Sequence, residues 1–159
     1  MIADLFLKDA KILFLTAYPM AKDNFLKQVY GYEDKILTAT QKNQLTTNKQ
    51  AILIESGNQG LFLEALNELK DINKRIIFIK NFEIFDKNIV LSACKNKNII
   101  ISGDIDLSST KKELLEIQFK TIIQFSQSKF LKPVCSNLEK YTGCFWQKNK
   151  NGLIKTIIN

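Results

Sequence analysis

The sequence reads as a three-layer α/β domain with a mainly parallel sheet and a small C-terminal hairpin. Apolar runs of strand length alternate with helical patterns, which is the signature of parallel βαβ units. The run Arg75–Phe85 opens with Ile76-Ile77-Phe78-Ile79, the near-continuous apolar wording of a strand buried on both faces. After Pro133 the wording changes to two short runs around Lys148–Gly152, a hairpin expected to turn on Asn151-Gly152. With 159 residues, 45% of them hydrophobic, the chain suits one domain that buries a sizeable core. The expected organisation is therefore a single domain over 1–159, with an α/β core at 1–132 and a hairpin appendage at 133–159.

Taken in order, Lys11–Ala17 is a first strand. Met20–Tyr30 follows as a helix striped by Phe25, Leu26 and Val29. Lys35–Thr40 is a short second strand, and the polar stretch Gln41–Gln50 is a loop. Ala51–Glu55 is a third strand that ends at Ser56-Gly57-Asn58-Gln59-Gly60. Leu61–Asp71 spaces Leu61, Leu63, Ala65, Leu66 and Leu69 as one helical face. Arg75–Ile79 is the strongest strand, with Lys80-Asn81 at its tip. Asp86 is placed to cap a helix through Ala93, Asn98–Ser102 is another central strand, and Ser108 or Ser109 caps a helix over Lys111–Ile117. Lys120–Phe125 is a last strand before the hairpin.

Composition removes several classes of function. The chain has no histidine, so every mechanism built on imidazole as base, triad partner or metal ligand is excluded. Cys94, Cys135 and Cys144 are odd in number and form no C-x-x-C pair, which suits a reducing compartment and argues against a zinc site. No apolar run approaches the roughly 20 residues of a membrane span, and Asp4, Lys8 and Asp9 interrupt the first residues where a secretory signal would be apolar. A cytoplasmic protein without a membrane partner is expected. The net charge of +7 permits contact with nucleic acid, but the lysines are scattered and only one of the 23 basic residues, Arg75, is arginine. A solvated basic surface accounts for that pattern.

Open α/β sheets do their chemistry at the C-terminal ends of strands. Three groups of residues fall there. Ser56–Gly60 precedes a helix and reads as a plain strand-to-helix turn, the anion-loop alternative lacking a following lysine or serine. Glu55 with Asp104 and Asp106 resembles the Toprim arrangement of magnesium-holding carboxylates, although turn-forming is the commoner role of such acids. Lys80 and Asn81 put a cation and an amide where metal-assisted phosphoryl transfer needs acids.

Local wording also resembles the cellular and viral thymidine kinase family of RecA-like type. Ile77–Phe85 (IFIKNFEIF) resembles that family's apolar strand followed by Asp-Glu and a later Phe. Ile99–Leu107 (IIISGDIDL) resembles its next core strand, Phe14–Leu26 its strand and phosphate loop, and Val134-Cys135 with Gly143–Lys148 its zinc-bearing region. The resemblance implies a RecA-like phosphate-loop architecture, but the departures imply that its contacts are lost. Around Pro19, Met20, Lys22 and Asp23 there is no glycine and no Ser or Thr to cradle phosphate and hold magnesium. Lys80 takes the place of the metal-linked acid and Asn81 that of the general base, which an amide cannot replace. Leu138 stands where a second zinc cysteine would follow Cys135.

The expectation is therefore a non-catalytic, thymidine kinase-like pseudoenzyme that acts through protein interactions, with no cofactor and no metal. A protein partner or a homo-oligomer is implied, with Trp146, Lys148 and Lys150 as an interaction surface on a short hairpin edge. The alternatives are a divergent nucleoside or nucleotide kinase using Lys22 or Lys80 for charge, and a nucleic-acid-binding module.

Overall fold

β1 (Lys11–Thr16) occupies the centre of a five-stranded parallel sheet because all its residues after Lys11 can be buried on both faces. A computed structural model of the chain describes residues 8–16, 26–27, 30–104, 107–108, 113–114, 121–124, 143–149 and 152–158, the last three segments as backbone. Two compact units emerge, 1–104 and 105–159. The first contains β1, β2 (Ile36–Thr38), β3 (Ala51–Glu55), α1 (Gln59–Glu68), β4 (Arg75–Lys80), α2 (Lys87–Cys94) and β5 (Ile99–Ser102). Its strand order is β2-β3-β1-β4-β5, all parallel. The α/β class and the parallel sheet expected from the alternation are what the chain adopts.

Register divides the sheet into two faces. Ile12, Phe14, Ala51, Leu53 and Phe78 form one cluster, joined by Leu26, Tyr32, Ile36 and Ile76. Phe14 and Phe78 lie side by side on adjacent strands with ring centroids 6.0 Å apart. The alternate residues Leu13, Leu15, Ile52, Ile54, Ile77 and Ile79 point the other way and are fully buried. Each such side chain contributes about 1.5–3 kcal/mol of transfer free energy. The β3-to-β4 and β4-to-β5 connections run in the same direction across the sheet, so right-handed crossovers put α1 and α2 on one face. Those helices pack on each other and turn Phe62, Ala65, Leu66, Ile89, Val90 and Ala93 inward. The connection leaving β1 runs the opposite way, and Leu26 accordingly packs on the other face.

At the N-terminal edge the chain's one arginine is consumed by the fold. Arg75 is 1% exposed and grips Asp71 with two prongs, Nε to Oδ1 at 2.8 Å and Nη2 to Oδ2 at 3.1 Å. Its Nη1 donates to the carbonyls of Ile12 at 3.3 Å and Gln50 at 3.5 Å, and Lys11 Nζ meets Asp71 Oδ2 at 2.7 Å. Burial pushes the Asp71 carboxyl up, but the hydrogen bonds and charges of Arg75 and Lys11 outweigh it, and the net displacement is downward. The solvated basic surface expected from the charge pattern thus does not include Arg75, which clamps β1, β4 and the approach to β3.

Two local readings gain detail and a third holds. The strand expected at Arg75–Ile79 is β4, which runs one residue further to Lys80, and Asn81 is left-handed (φ 57°, ψ 53°) before a 3₁₀ turn at Phe82–Ile84. Asparagine tolerates that conformation far better than a β-branched residue, so it can break the run where isoleucine could not. The loop Gln41–Gln50 contains a 3₁₀ turn, Lys42–Leu45, held by Gln44 Oε1 accepting from the amides of Thr40 at 2.7 Å and Gln41 at 3.0 Å, with Leu45 buried beneath it. The Asp86 cap is present, its Oδ1 accepting from the Asn88 amide at 2.8 Å.

The second unit carries an antiparallel sheet of order β6-β7-β8, formed by β6 (Thr121–Gln124), β7 (Gly143–Asn149) and β8 (Gly152–Ile158). The pair Asn149↔Gly152 is the last described at the hairpin end, so Gly152 belongs to β8, whereas Asn151 lies outside the described residues. β6 pairs antiparallel with β7 and does not extend the parallel sheet.

Candidate functional site at the C-terminal edge of the sheet

The connection after β1 leaves toward β2, whereas those after β3 and β4 run the other way, so the chain diverges around the C-terminal end of β1. Such a switch point opens a crevice in an α/β sheet. The pairs Thr16↔Glu55 and Lys80↔Ser102, with Leu15 level with both Ile54 and Ile79, place Glu55, Thr16, Lys80 and Ser102 in one row across β3, β1, β4 and β5. By strand alternation this row lies on the same face as Leu53, Phe14 and Phe78, one pleat beyond them. The apolar cluster thus ends in four polar side chains at the edge. At about 4.8 Å per strand, Glu55 and Lys80 stand roughly 10 Å apart.

Lys80 is half-buried, and among the described residues no carboxylate pairs with it. Asn81 Nδ2 donates to Glu83 Oε1 at 3.4 Å, and Glu83 Oε2 accepts from the Asp104 amide at 3.1 Å. Glu83 therefore latches the exit of β4 to the exit of β5. The latch depends on Gly103, where a Cβ would run into Glu83 Oε2 and come within 2.9 Å of the Phe82 amide nitrogen. Sequence reasoning had not singled out Glu83, because a glutamate in a turn carries no signal until the partner loop is known.

The other residues singled out from the sequence separate. Glu55 ends β3 and Asp104 follows β5, and β1 and β4 lie between those strands, a span of roughly 14 Å that no single cation bridges. Among the described residues no three acids or cysteines converge as a metal site. Asp106 lies outside the described residues, as do Pro19, Met20, Lys22, Asp23 and Lys150. Ser56–Asn58 forms a 3₁₀ turn leading into α1, and a Cβ at Gly57 or Gly60 would meet nothing within 4 Å, so neither glycine is required for close approach. Gln59 Oε1 instead accepts from the Asp86 amide at 3.2 Å and ties this turn to the start of α2. Trp146 and Lys148 lie on β7, which is flanked by β6 and β8 and is therefore a central strand, not the exposed edge expected from sequence. Cys94 on α2 is partly buried, and burial pushes its thiol up to about 11.

No protein-family profile matches the chain, and no curated protein matches it. Among solved structures, the genome packaging NTPase B204 of Sulfolobus turreted icosahedral virus 2 in complex with sulfate aligns over 95% of this chain and 96% of its own, at 12% identity and a TM-score of 0.50. The same NTPase with ATP-gammaS and with AMPPCP aligns at 10% and 12% identity, each over 95% of this chain and over 97% and 98% of its own, with TM-scores of 0.47 and 0.46. The chain is similar in fold to a phosphate-loop-type NTPase. At such identity the likeness concerns the path of the backbone and leaves the chemistry to this chain's own residues. Among the described residues no helix is long and apolar enough to cross a membrane.

Proposed function

We propose that this chain is a non-catalytic protein built on a phosphate-loop-type NTPase scaffold, working as a subunit or regulator within an assembly. The observation that carries the reading is the tip of β4. The two positions that would supply a metal-linked acid and a base next to β1 hold Lys80 and Asn81, and Asn81 is spent on a left-handed turn and on Glu83. A cation repels magnesium, and an amide cannot take a proton at neutral pH. Degenerate thymidine kinase-like ancestry belongs to the proposal on the strength of the wording of Ile77–Phe85 and Ile99–Leu107. The partner is another protein or a second copy of the chain.

Turnover is the direct test. With ATP and magnesium, with and without thymidine, the full-length chain is expected to release no phosphate and to form no phosphorylated nucleoside above background. Sustained turnover abolished by Lys80→Ala would refute the reading and favour a divergent kinase. A second reading has its own support, since the scaffold is shared with a genome packaging NTPase and the chain carries a net charge of +7. That reading, a nucleic-acid-binding subunit, requires retention on DNA that weakens steeply with salt.

A further inference from the structure

We propose that the Lys80–Ser102 end of the polar row binds a phosphoryl anion without a metal ion. The inference rests on reading this edge as the ligand edge of a non-hydrolysing protein, and it names the ligand class. Lys80 brings three N–H donors and a full positive charge to the C-terminal edge of the sheet beside β1, the edge where α/β sheets bind ligands. Its register partner Ser102 is exposed and adds a hydroxyl about one strand spacing away. Among the described residues neither side chain is engaged by another group. The nearest acid in the row, Glu55, is two strands away, and the Glu83 carboxylate is held by the Asp104 amide and Asn81.

Charge and hydrogen-bond donors at one point suit a phosphate oxygen. In a metal-dependent site the cation is held by acids and screens the phosphates, whereas here the ammonium supplies that positive charge through a covalent tether. Magnesium should therefore add little to affinity, and a chelator should remove little. This narrows the expectation of lost ligand contacts: the steering acids are gone, but a point of positive charge remains at the same edge.

The test is calorimetric titration of the full-length chain with inorganic pyrophosphate at fixed ionic strength, once in EDTA and once in magnesium, with ATP and adenosine as parallel arms. Pyrophosphate and ATP are expected to bind in EDTA with affinities that magnesium changes by less than about threefold, and adenosine is expected to give no heat. Lys80→Gln should weaken binding by about tenfold or more, as expected for a hydrogen bond to a charged group. Lys80→Met, which keeps the aliphatic stem, should do the same, and the two variants together guard against loss of folding, checked by circular dichroism. Lys74→Gln, at the opposite edge, should bind as the unaltered chain does. The proposal is overturned if the chain does not bind pyrophosphate, if binding needs magnesium, or if Lys74→Gln weakens it as much as Lys80→Gln. Phosphate release from ATP would refute the non-catalytic reading alone, so the two ideas fail separately.

Discussion

Replacing Asp71 by alanine should destabilise the first unit by about 3 kcal/mol, more than any change to the basic residues around it. Arg75 is 1% exposed, and two of its nitrogens rest on the Asp71 carboxylate at 2.8 and 3.1 Å. Without that carboxylate the guanidinium keeps only two long bonds to the Ile12 and Gln50 carbonyls. Two unit charges about 4 Å apart near a protein surface attract by about 4 kcal/mol at an effective dielectric of 20. Breaking a buried pair from one side costs about 3–5 kcal/mol. Asp71 retains 24% side-chain exposure, so water reaches the vacated side and the lower end of that range applies. Arg75→Met removes the buried charge itself and leaves Asp71 with Lys11, so it should cost less than Asp71→Ala. Urea unfolding followed by far-UV circular dichroism reads the difference. With a slope of about 1–3 kcal/mol per molar, the Asp71→Ala midpoint should fall by roughly 1–3 M. An Asp71→Ala midpoint indistinguishable from that of the unaltered chain, or an Arg75→Met variant weaker than Asp71→Ala, would refute the reasoning.

The same carboxylate gives a pH dependence. Because its folded-state value is depressed, its contribution is complete above the ordinary carboxylate range near pH 4 and fades as pH falls through the folded value, a slope that Asp71→Asn should flatten in acid titrations of stability. At Asn81, a change to glycine should be nearly neutral, while valine should cost about 1–2 kcal/mol in thermal or urea unfolding for forcing a β-branched residue into a left-handed conformation. Cys94, with its thiol pushed up to about 11, should react with a disulfide reagent at pH 8 at least about a hundredfold slower than free cysteine, and urea unfolding should abolish the difference.

Much of the fold was legible because it rests on local periodicity. The runs expected as strands at Lys11–Ala17, Ala51–Glu55 and Arg75–Ile79 correspond to β1 (Lys11–Thr16), β3 (Ala51–Glu55) and β4 (Arg75–Lys80), and Asp86 capped α2 as its side chain predicts. Boundaries were harder to read. Ile84 and Phe85 continue the apolar wording beyond β4, and a single asparagine in the left-handed region ends the strand. Strand partners were harder still. Lys120–Phe125 has the composition of a strand for either sheet, and pairing with β7 decided which.

The site divides along the same line. Sequence by itself determined that imidazole chemistry is absent, that a lysine and an asparagine follow the strongest strand, and that the chain alternates strands with helices, since residue identity and period need no partner to be read. Only the tertiary structure decided that Lys80 shares a row with Thr16, Ser102 and Glu55, that Glu55 and Asp104 stand too far apart to share a cation, and that Glu83 latches the exits of β4 and β5. The reason is geometric: distances across a parallel sheet depend on strand order, which is set by pairing of segments 15 or more residues apart and is invisible in any local window.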